Sequence, residues 1–403
     1  MLIGVLGGGQ LGRMLGLAGL PLGHRFRFWE PADTCPAAAV GEWFREPWDA
    51  PGAAERFVRG NGTPHDLLDA VTLEFENVPA SVVQALESLA TQDTAATHTL
   101  AHTLPATAHR PAFAVAPSSK ALGIGQDRIH EKQAFERSGF SVHPYRACDS
   151  IADLRAAGET LGYPLVIKTR RGGYDGKGQT IAKNADDLSR AFHDLNGESR
   201  PLLAEQFVPF DAECSIIATR GHDGSFVAYP LTQNVHRSGI LIRSDAPAAS
   251  ASPTVFTQAL QSQAEKHAQH LMVDLGYVGT LAIEFFVQRT PAGIRLLANE
   301  FAPRVHNSGH WTIEGAACSQ FENHIRAVTG APLGSTRVAT PVVMLNLIGQ
   351  WPKEHAMLAV PHTHLHLYGK EPRVGRKVGH VTLTGPDALH HATQIEKLIA
   401  KQG

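Results

Sequence analysis

The sequence predicts a mixed α/β and α+β chain in three parts: an N-terminal parallel sheet over residues 1–117, a central region over 118–332, and a small C-terminal β-rich piece over 333–403. Three observations predict this. The chain opens as strand, helix, strand, with apolar Leu2–Leu6, a helical stretch from Gln10 to Leu20 and a second strand at Arg25–Trp29, the start of a doubly wound, Rossmann-like sheet. After VAPS at Val115–Ser118, a helix to Arg137 leads into strands, glycine loops and two long helices. The end carries short β segments, PVVMLNLIG and THLHLYG, before a last helix from Asp387. At 403 residues the chain exceeds the roughly 250 to 300 residues that one core sustains, so several cores are required.

Within the first part, AVTLEFENV at Ala70–Val78 reads as a further strand. Ser88–Arg110, rich in Ala, Thr and His, reads as an inserted loop or ragged helix without chemistry of its own. Lys plus Arg number 36 against 38 for Asp plus Glu, a net charge of -2, which gives no reason to expect nucleic acid or an anionic membrane as partner. Cys35, Cys148, Cys214 and Cys318 lie far apart without a C-x-x-C pair, as expected of free thiols in a reducing cytoplasm. The N-terminus lacks the basic start of a signal peptide, and no stretch reaches the ~18 apolar residues of a membrane span. A soluble cytoplasmic enzyme with small-molecule ligands is the expectation.

Two glycine loops can hold phosphates. Gly7, Gly9 and Gly12 form G-x-G-x-x-G between a strand and a helix, with Glu30 ending the next strand. This is the dinucleotide fingerprint, and equally the way any strand turns tightly into a helix. Taken alone it leaves open an NAD(P)- or FAD-dependent oxidoreductase. The second loop, RRGGYDGKGQ, follows the strand PLVIK that ends in Lys168. Its glycines let backbone amides close over phosphates while Lys177 adds charge, but Arg171 and Gly178 stand where a Walker A loop needs Gly and Ser or Thr. Further on, LLAEQFVPFDAE carries Glu205 and Glu213, a strand and linker able to bind a purine through its backbone and ribose through a carboxylate.

LAIEFFVQ and IRLLANE read as a hairpin across RTPAG. A three-residue loop, Pro291 to Gly293, would set Thr290 opposite Ile294 and Glu284 opposite Glu300. Carboxylates so paired repel unless a divalent cation sits between them, and such oxygens suit magnesium bound with substrate phosphates. Next comes FAPRVHNSGHWT, a donor-rich loop with Arg304, His306 and His310, suited to an anionic substrate or intermediate. A different possibility, a metal-binding scaffold, comes from His362, His364 and His366, which alternate and would share one strand face.

In order, Lys168, GGYDGKGQ, EQFVPFDAE, EFF, NEFAPRVHNSGHW and YGKEPRVGRKVGH resemble the N5-carboxyaminoimidazole ribonucleotide synthetase family of ATP-grasp enzymes over essentially the whole chain, and GGGQLGRML is similar to that family's start. The resemblance implies a central ATP-grasp domain that takes ATP and Mg2+, with bicarbonate and aminoimidazole ribonucleotide as co-substrates, in a cytoplasmic homodimer of purine biosynthesis. It implies that Arg128 and Lys168 meet the phosphates, and that Gly173, Tyr174, Asp175, Gly176, Lys177, Gly178 and Gln179 form the lid. Glu205, Gln206, Phe207 and Val208 would be the adenine hinge and Glu213 the ribose ligand. His236 would lie at the nucleotide, and Glu284, Asn299 and Glu300 at the metal end. Tyr174, Asp175, Lys177, Arg304, His306, Lys370 and Arg376 would serve the ribonucleotide and its carboxylation, with Arg304, His306 and Lys177 catalytic. Position 177 is usually Arg in this family. Lys keeps the charge and loses the planar fork. The resemblance also implies that the first glycine loop no longer binds a dinucleotide.

Overall fold

The computed structural model describes residues 1–100, 113–173, 177–291 and 293–401, so the end of the Ala/Thr/His tract and Tyr174, Asp175 and Gly176 lie outside the described residues. Leu2–Leu6 is the middle of five parallel strands in the order Glu42–Phe44, Arg25–Trp29, Leu2–Leu6, Ala70–Leu73, Ala114–Val115. Alternation sends Ile3 and Val5 to one core and Leu2 and Leu6 to another, which is why this run is apolar without interruption. The first core takes Leu11 and Leu15 of the helix Gln10–Gly19, and Phe321 and Ile325 of the distant helix Gln320–Thr329. The second takes Phe57 together with Val82, Val83 and Leu86 of the helix Ala80–Leu100.

One expectation changes here and a second is narrowed. The strand expected over Ala70–Val78 stops at Leu73, because Glu74 turns its carboxylate onto the first glycine loop. The tract from Ser88 continues the helix Ala80–Leu100 as far as Leu100, held where Val82, Val83, Leu86 and Ala90 recur at helical spacing on its buried side.

The centre holds two sheets. Four antiparallel strands, in the order Tyr145–Cys148, Leu202–Gln206, Leu165–Thr169, Gln179–Ala182, carry the second glycine loop between their last two members. The larger sheet has ten strands, and its path runs Thr363–Leu367, Lys377–Thr384, Val342–Ile348, Ile240–Ala246, Thr232–Arg237, Ala212–Arg220, Gly279–Thr290, Gly293–Ala302, Ser141–Val142, with Phe226–Ala228 paired beside Ala212–Arg220. The C-terminal piece therefore has no sheet of its own. Val342–Ile348 pairs antiparallel with Ile240–Ala246 and extends the central sheet, while the last helix, Ala388–Ala400, closes a local core through Ala388, Ala392 and Ile395.

The histidine ladder does not form. His362 precedes the strand Thr363–Leu367 with φ of 56°, His364 is exposed, and His366 pairs with Glu314 at 2.6 Å. Among the described residues no group of three or more His, Cys, Asp or Glu could hold a metal ion, and no helix is long and apolar enough to cross a membrane.

Candidate active site

The hairpin Gly279–Thr290 and Gly293–Ala302 does bring Glu284 opposite Glu300, by a route the sequence did not reveal. Thr290 pairs with Gly293 rather than Ile294, which taken alone would shift every partner by one. A bulge between Glu284 and Phe285 absorbs Asn299 as the extra residue and restores the facing. Burial and the neighbouring Glu300 carboxylate raise Glu284 above the usual carboxylate range. Burial would raise Glu300 too, but Arg128, whose Nη1 donates to Glu300 Oε2 at 3.1 Å, and Lys168 outweigh it and hold Glu300 down. Two facing oxygen ligands of unlike proton affinity fit a hard divalent cation that takes its other ligands from phosphates and water.

Lys168, at the end of its strand, is buried against Glu205, Nζ to Oε2 at 2.6 Å, and reaches Asn299 Oδ1 at 3.3 Å. Glu205 also pairs with Lys132 at 3.0 Å. Burial opposes its charge, yet the two lysines together push its carboxyl far below the ordinary range. The Glu205 side chain is thus a counter-ion inside the fold, which leaves only its backbone for a ligand. Gln206 ends the strand, and Phe207 and Val208 continue into the linker. Glu213 lies 2.9 Å from His236 Nδ1. Burial would lower His236, but this bond and the Glu284 charge raise it.

Gly173 and Lys177 stand on the two sides of the second glycine loop. Thr169 N donates to Gly178 O at 2.8 Å, and at Gly178, φ 74°, a Cβ would lie 2.8 Å from Thr169 Oγ1, so the lid base is built for glycine. Gln179 begins the next strand.

His306 is oriented by a buried polar chain. Ser244 Oγ donates to Asn234 Oδ1 at 2.8 Å, Asn234 Nδ2 to Ser215 Oγ at 3.0 Å, and Ser215 Oγ to Ser308 Oγ at 2.8 Å. Ser308 Oγ in turn lies 2.9 Å from His306 Nδ1. Ser308 N donates to Nδ1 as well, so Nδ1 is the acceptor and Nε2 carries the hydrogen, 3.6 Å from Glu284 Oε1. Burial and the Arg304 charge keep His306 neutral, well below its usual value. Arg304 forks onto Glu76, with Nη2 donating to Oε1 at 2.8 Å and Nε donating to Oε2. Lys370 Nζ donates to Gln10 Oε1, and Arg376 donates to Glu371 O at 3.3 Å.

A cavity of about 740 Å³ joins these ends. Of the expected residues it is bordered by Arg128, Gly173, Lys177, His236, Glu284, Glu300, Arg304, His306, Lys370 and Arg376. Lys168, Gly178, Gln179, Glu205, Gln206, Phe207, Val208, Glu213 and Asn299 do not border it. Gln10, Glu74, Glu76 and Glu131 border it and were missed. The signal for two of them was the acidic run EFEN directly after a strand, mistaken for its continuation.

The first glycine loop opens onto the same cavity, but its amides are already taken. Glu74 Oε1 accepts from Gly9 N at 2.8 Å, Glu74 Oε2 from Gly12 N at 3.2 Å, and Glu30 Oε2 from Gly8 N at 3.0 Å. Burial raises the Glu74 carboxyl, and the Gly9 amide offsets part of that. The place a dinucleotide pyrophosphate would occupy holds the chain's own carboxylate, so the oxidoreductase reading has no support.

Residues 133–321 match the ATP-grasp domain family, residues 1–103 the ribonucleotide synthetase preATP-grasp domain, and residues 342–394 the phosphoribosylaminoimidazole carboxylase C-terminal domain. The N5-carboxyaminoimidazole ribonucleotide synthase of Pseudomonas aeruginosa is 44% identical over 387 residues, spanning 96% of this chain and 95% of its own. That of Escherichia coli is 39% identical over 396 residues, spanning 98% and 93%. The crystal structure of the Thermus thermophilus synthetase superposes with a TM-score of 0.84 at 43% identity over 98% of both chains. The Aspergillus clavatus enzyme in complex with ADP and 5-aminoimidazole ribonucleotide gives 0.81 at 28% identity, over 99% of this chain and 98% of that one. With a carboxylate pair, the two sides of the second glycine loop and a basic C-terminal segment around one cavity, the chain belongs to the N5-carboxyaminoimidazole ribonucleotide synthase family.

Proposed function

We propose that the chain carboxylates 5-aminoimidazole ribonucleotide at the expense of ATP, with bicarbonate as carbon source, in de novo purine biosynthesis. Bicarbonate attacks the γ-phosphate to give carboxyphosphate and ADP, and the exocyclic amine then takes up the carboxyl group as inorganic phosphate leaves and the amine gives up a proton. The observation that carries this reading is a single cavity with the Glu284–Glu300 pair at one end and Lys370 and Arg376 at the other. One end suits a polyphosphate and the other a ribonucleotide phosphate.

Magnesium held by Glu284 and Glu300 would neutralise phosphate charge as it develops. Arg128 aligns the phosphates, the resemblance adds Lys168, which stands behind the cavity on Glu205 and Asn299, and the lid from Gly173 to Gln179 shields a carboxyphosphate that water would destroy. Glu205 to Val208 offer backbone to the adenine, and Glu213 with His236 meets the ribose. Arg304, fixed by Glu76, holds the carboxylate of the intermediate beside Lys177. Neutral His306 enters as an N–H donor at Nε2. The Ser308 hydroxyl and amide hold Nδ1 as an acceptor, so the ring stays a neutral donor in its buried setting and orients an oxygen of the carboxylate through Nε2. Tyr174 and Asp175 complete the ribonucleotide side. The resemblance supports a cytoplasmic homodimer, which light scattering of the purified protein reads directly.

The test is ADP release in the presence of bicarbonate, with and without aminoimidazole ribonucleotide. Release that depends on the ribonucleotide is expected. Turnover indifferent to it would remove the substrate assignment.

A further inference from the structure

Among the described residues, the strand Gly293–Ala302 has a strand neighbour on its outer edge only at Leu297 and Ala298, where Ser141–Val142 runs parallel to it. From Asn299 onward that edge is met by one helix, Arg128–Arg137. Three of its side chains reach three successive residues of the bulge. Lys132 Nζ donates to Asn299 O at 2.8 Å, Arg128 Nη1 to Glu300 Oε2 at 3.1 Å, and Phe301 N donates to Glu131 Oε1 at 2.6 Å. Glu131 and Lys132 are 2% and 1% exposed. Lys132 also closes a ring of contacts through Glu205 and Lys168 back to Asn299 Oδ1.

The register shows what this helix holds in place. Continued without the bulge from Thr290↔Gly293, the hairpin would set Asn299 opposite Glu284 and turn Glu300 to the other face of the sheet. With the outer strand pairing ended at Ala298, the outward-facing backbone groups of Asn299 and Phe301 are taken by the side chains of Lys132 and Glu131. Ionisable groups buried this deeply are a poor means to stability alone, since apolar residues of similar volume serve as well or better.

We propose that Glu131 and Lys132 are positioning residues that hold the Asn299 bulge, and through it decide that Glu300 rather than Asn299 faces Glu284. The proposal rests on the assignment of that pair to a magnesium nucleotide. Lys132 extends the same control to the aim of Lys168, because both lysines share the Glu205 carboxylate.

Burial raises the Glu131 carboxyl to about 8, so glutamine is a close stand-in that keeps an acceptor for Phe301 N, whereas methionine keeps the volume and removes the acceptor. ADP binding is measured by calorimetry on the full chain with and without Mg2+, alongside KM for each substrate. Glu131→Met is expected to lose about 10-fold or more of the affinity that Mg2+ adds, the usual scale for a residue supporting a metal ligand, with Mg2+-free ADP binding and the ribonucleotide KM changed by less than about 3-fold. Glu131→Gln is expected to stay within about 3-fold of wild type throughout. Lys132→Met, which leaves Glu205 paired with Lys168 and so threatens the fold less, is measured beside them and is expected to lose the same Mg2+-dependent affinity. An unchanged Mg2+ contribution in a folded Glu131→Met or Lys132→Met protein would overturn the proposal, as would equal damage from Glu131→Gln and Glu131→Met. ADP binding involves no carboxylation, so failure here leaves the reaction standing, and ribonucleotide-independent ADP release leaves the bulge assignment standing.

Discussion

Glu284 and Glu300 face each other at the cavity wall, where they would hold the proposed Mg2+ against the transferring phosphoryl group. Glu284→Gln and Glu300→Gln are each expected to cut turnover by at least ~100-fold with the fold intact, read as initial rates of ADP release; a wild-type rate in either would end the metal role. His324 offers a test of stability instead. It is fully buried between the N-terminal and central sheets, with Nε2 2.7 Å from Thr72 Oγ1 and Nδ1 accepting from Thr280 N at 3.0 Å. Burial lowers it from 6.5 to about 4. The unfolded chain therefore binds this proton below pH 6.5 and the folded chain only near 4, so its contribution, about 3 kcal/mol, is complete above pH 6.5 and lost as pH falls to 4. His306, His310 and His380 are depressed in the same direction, so the measurement is a difference: the stability advantage of wild type over His324→Gln should shrink between pH 6.5 and 4, and a constant gap would refute it. Among single residues, the glutamates were legible as acidic positions on a hairpin, while their facing depends on the bulge rather than on alternation. The Asn299 bulge was not, since an extra residue in a strand leaves no mark on composition. Glu131 and Lys132 were equally hidden, because nothing in RIHEK says which side of the helix finds an unpaired sheet edge.

At the scale of elements, the segment from Tyr368 to His380 borders the cavity through Lys370, Arg373, Arg376 and Lys377, with positive φ at Gly369 and Gly375 letting the backbone bend around a small anion. Arg376→Ala is expected to raise KM for the ribonucleotide by roughly 10-fold or more, the cost of one charge-assisted contact of about 1.5 to 3 kcal/mol, while KM for ATP stays nearly constant. Steady-state kinetics with each substrate varied in turn separates this from a structural role, in which both constants would move or neither. The basic run itself was plain in the sequence. Its position was not, because it depends on Val342–Ile348 finding Ile240–Ala246 about a hundred residues away, a pairing that local pattern cannot specify. For the tract that ends the helix Ala80–Leu100, the sequence left a loop and a ragged helix both open. Its Ala and Thr residues dilute the apolar stripe, yet the few buried positions suffice because they pack against the first sheet.

For the molecule as a whole, the path of the ten-stranded sheet places Gly279–Thr290 and Lys377–Thr384 five steps apart, a span of roughly 24 Å if the sheet were flat. Glu284 and Lys377 nevertheless border the same cavity, and the Lys377 charge acts on Glu284. The sheet therefore curls, and the cavity lies in its concave side. Because Val342–Ile348 is bonded into that sheet, the C-terminal piece should unfold with the centre. Calorimetry is expected to show no separate transition removed by truncation after residue 335, and the truncated chain should melt lower throughout, since it bares the edge of Ile240–Ala246. A truncated chain that kept the original melting temperature would mean that the piece is an independent cap.

The carboxylates of Glu30 and Glu74 on the first glycine loop have a pharmacological consequence. A tethered group competes with any free ligand at an effective concentration in the millimolar range or above. The cradle therefore carries a permanent internal competitor, and compounds built on a pyrophosphate and nicotinamide frame should find no purchase there. Titration with NAD(P) followed by fluorescence is expected to show no micromolar binding to the wild-type chain, and saturation in that range would mean that Glu74 can be displaced. Selective inhibitors would have to come from the other two faces of the cavity, where the ligands are a nucleotide and a sugar phosphate, and where the chain presents cations and a carboxylate pair in place of a filled cradle.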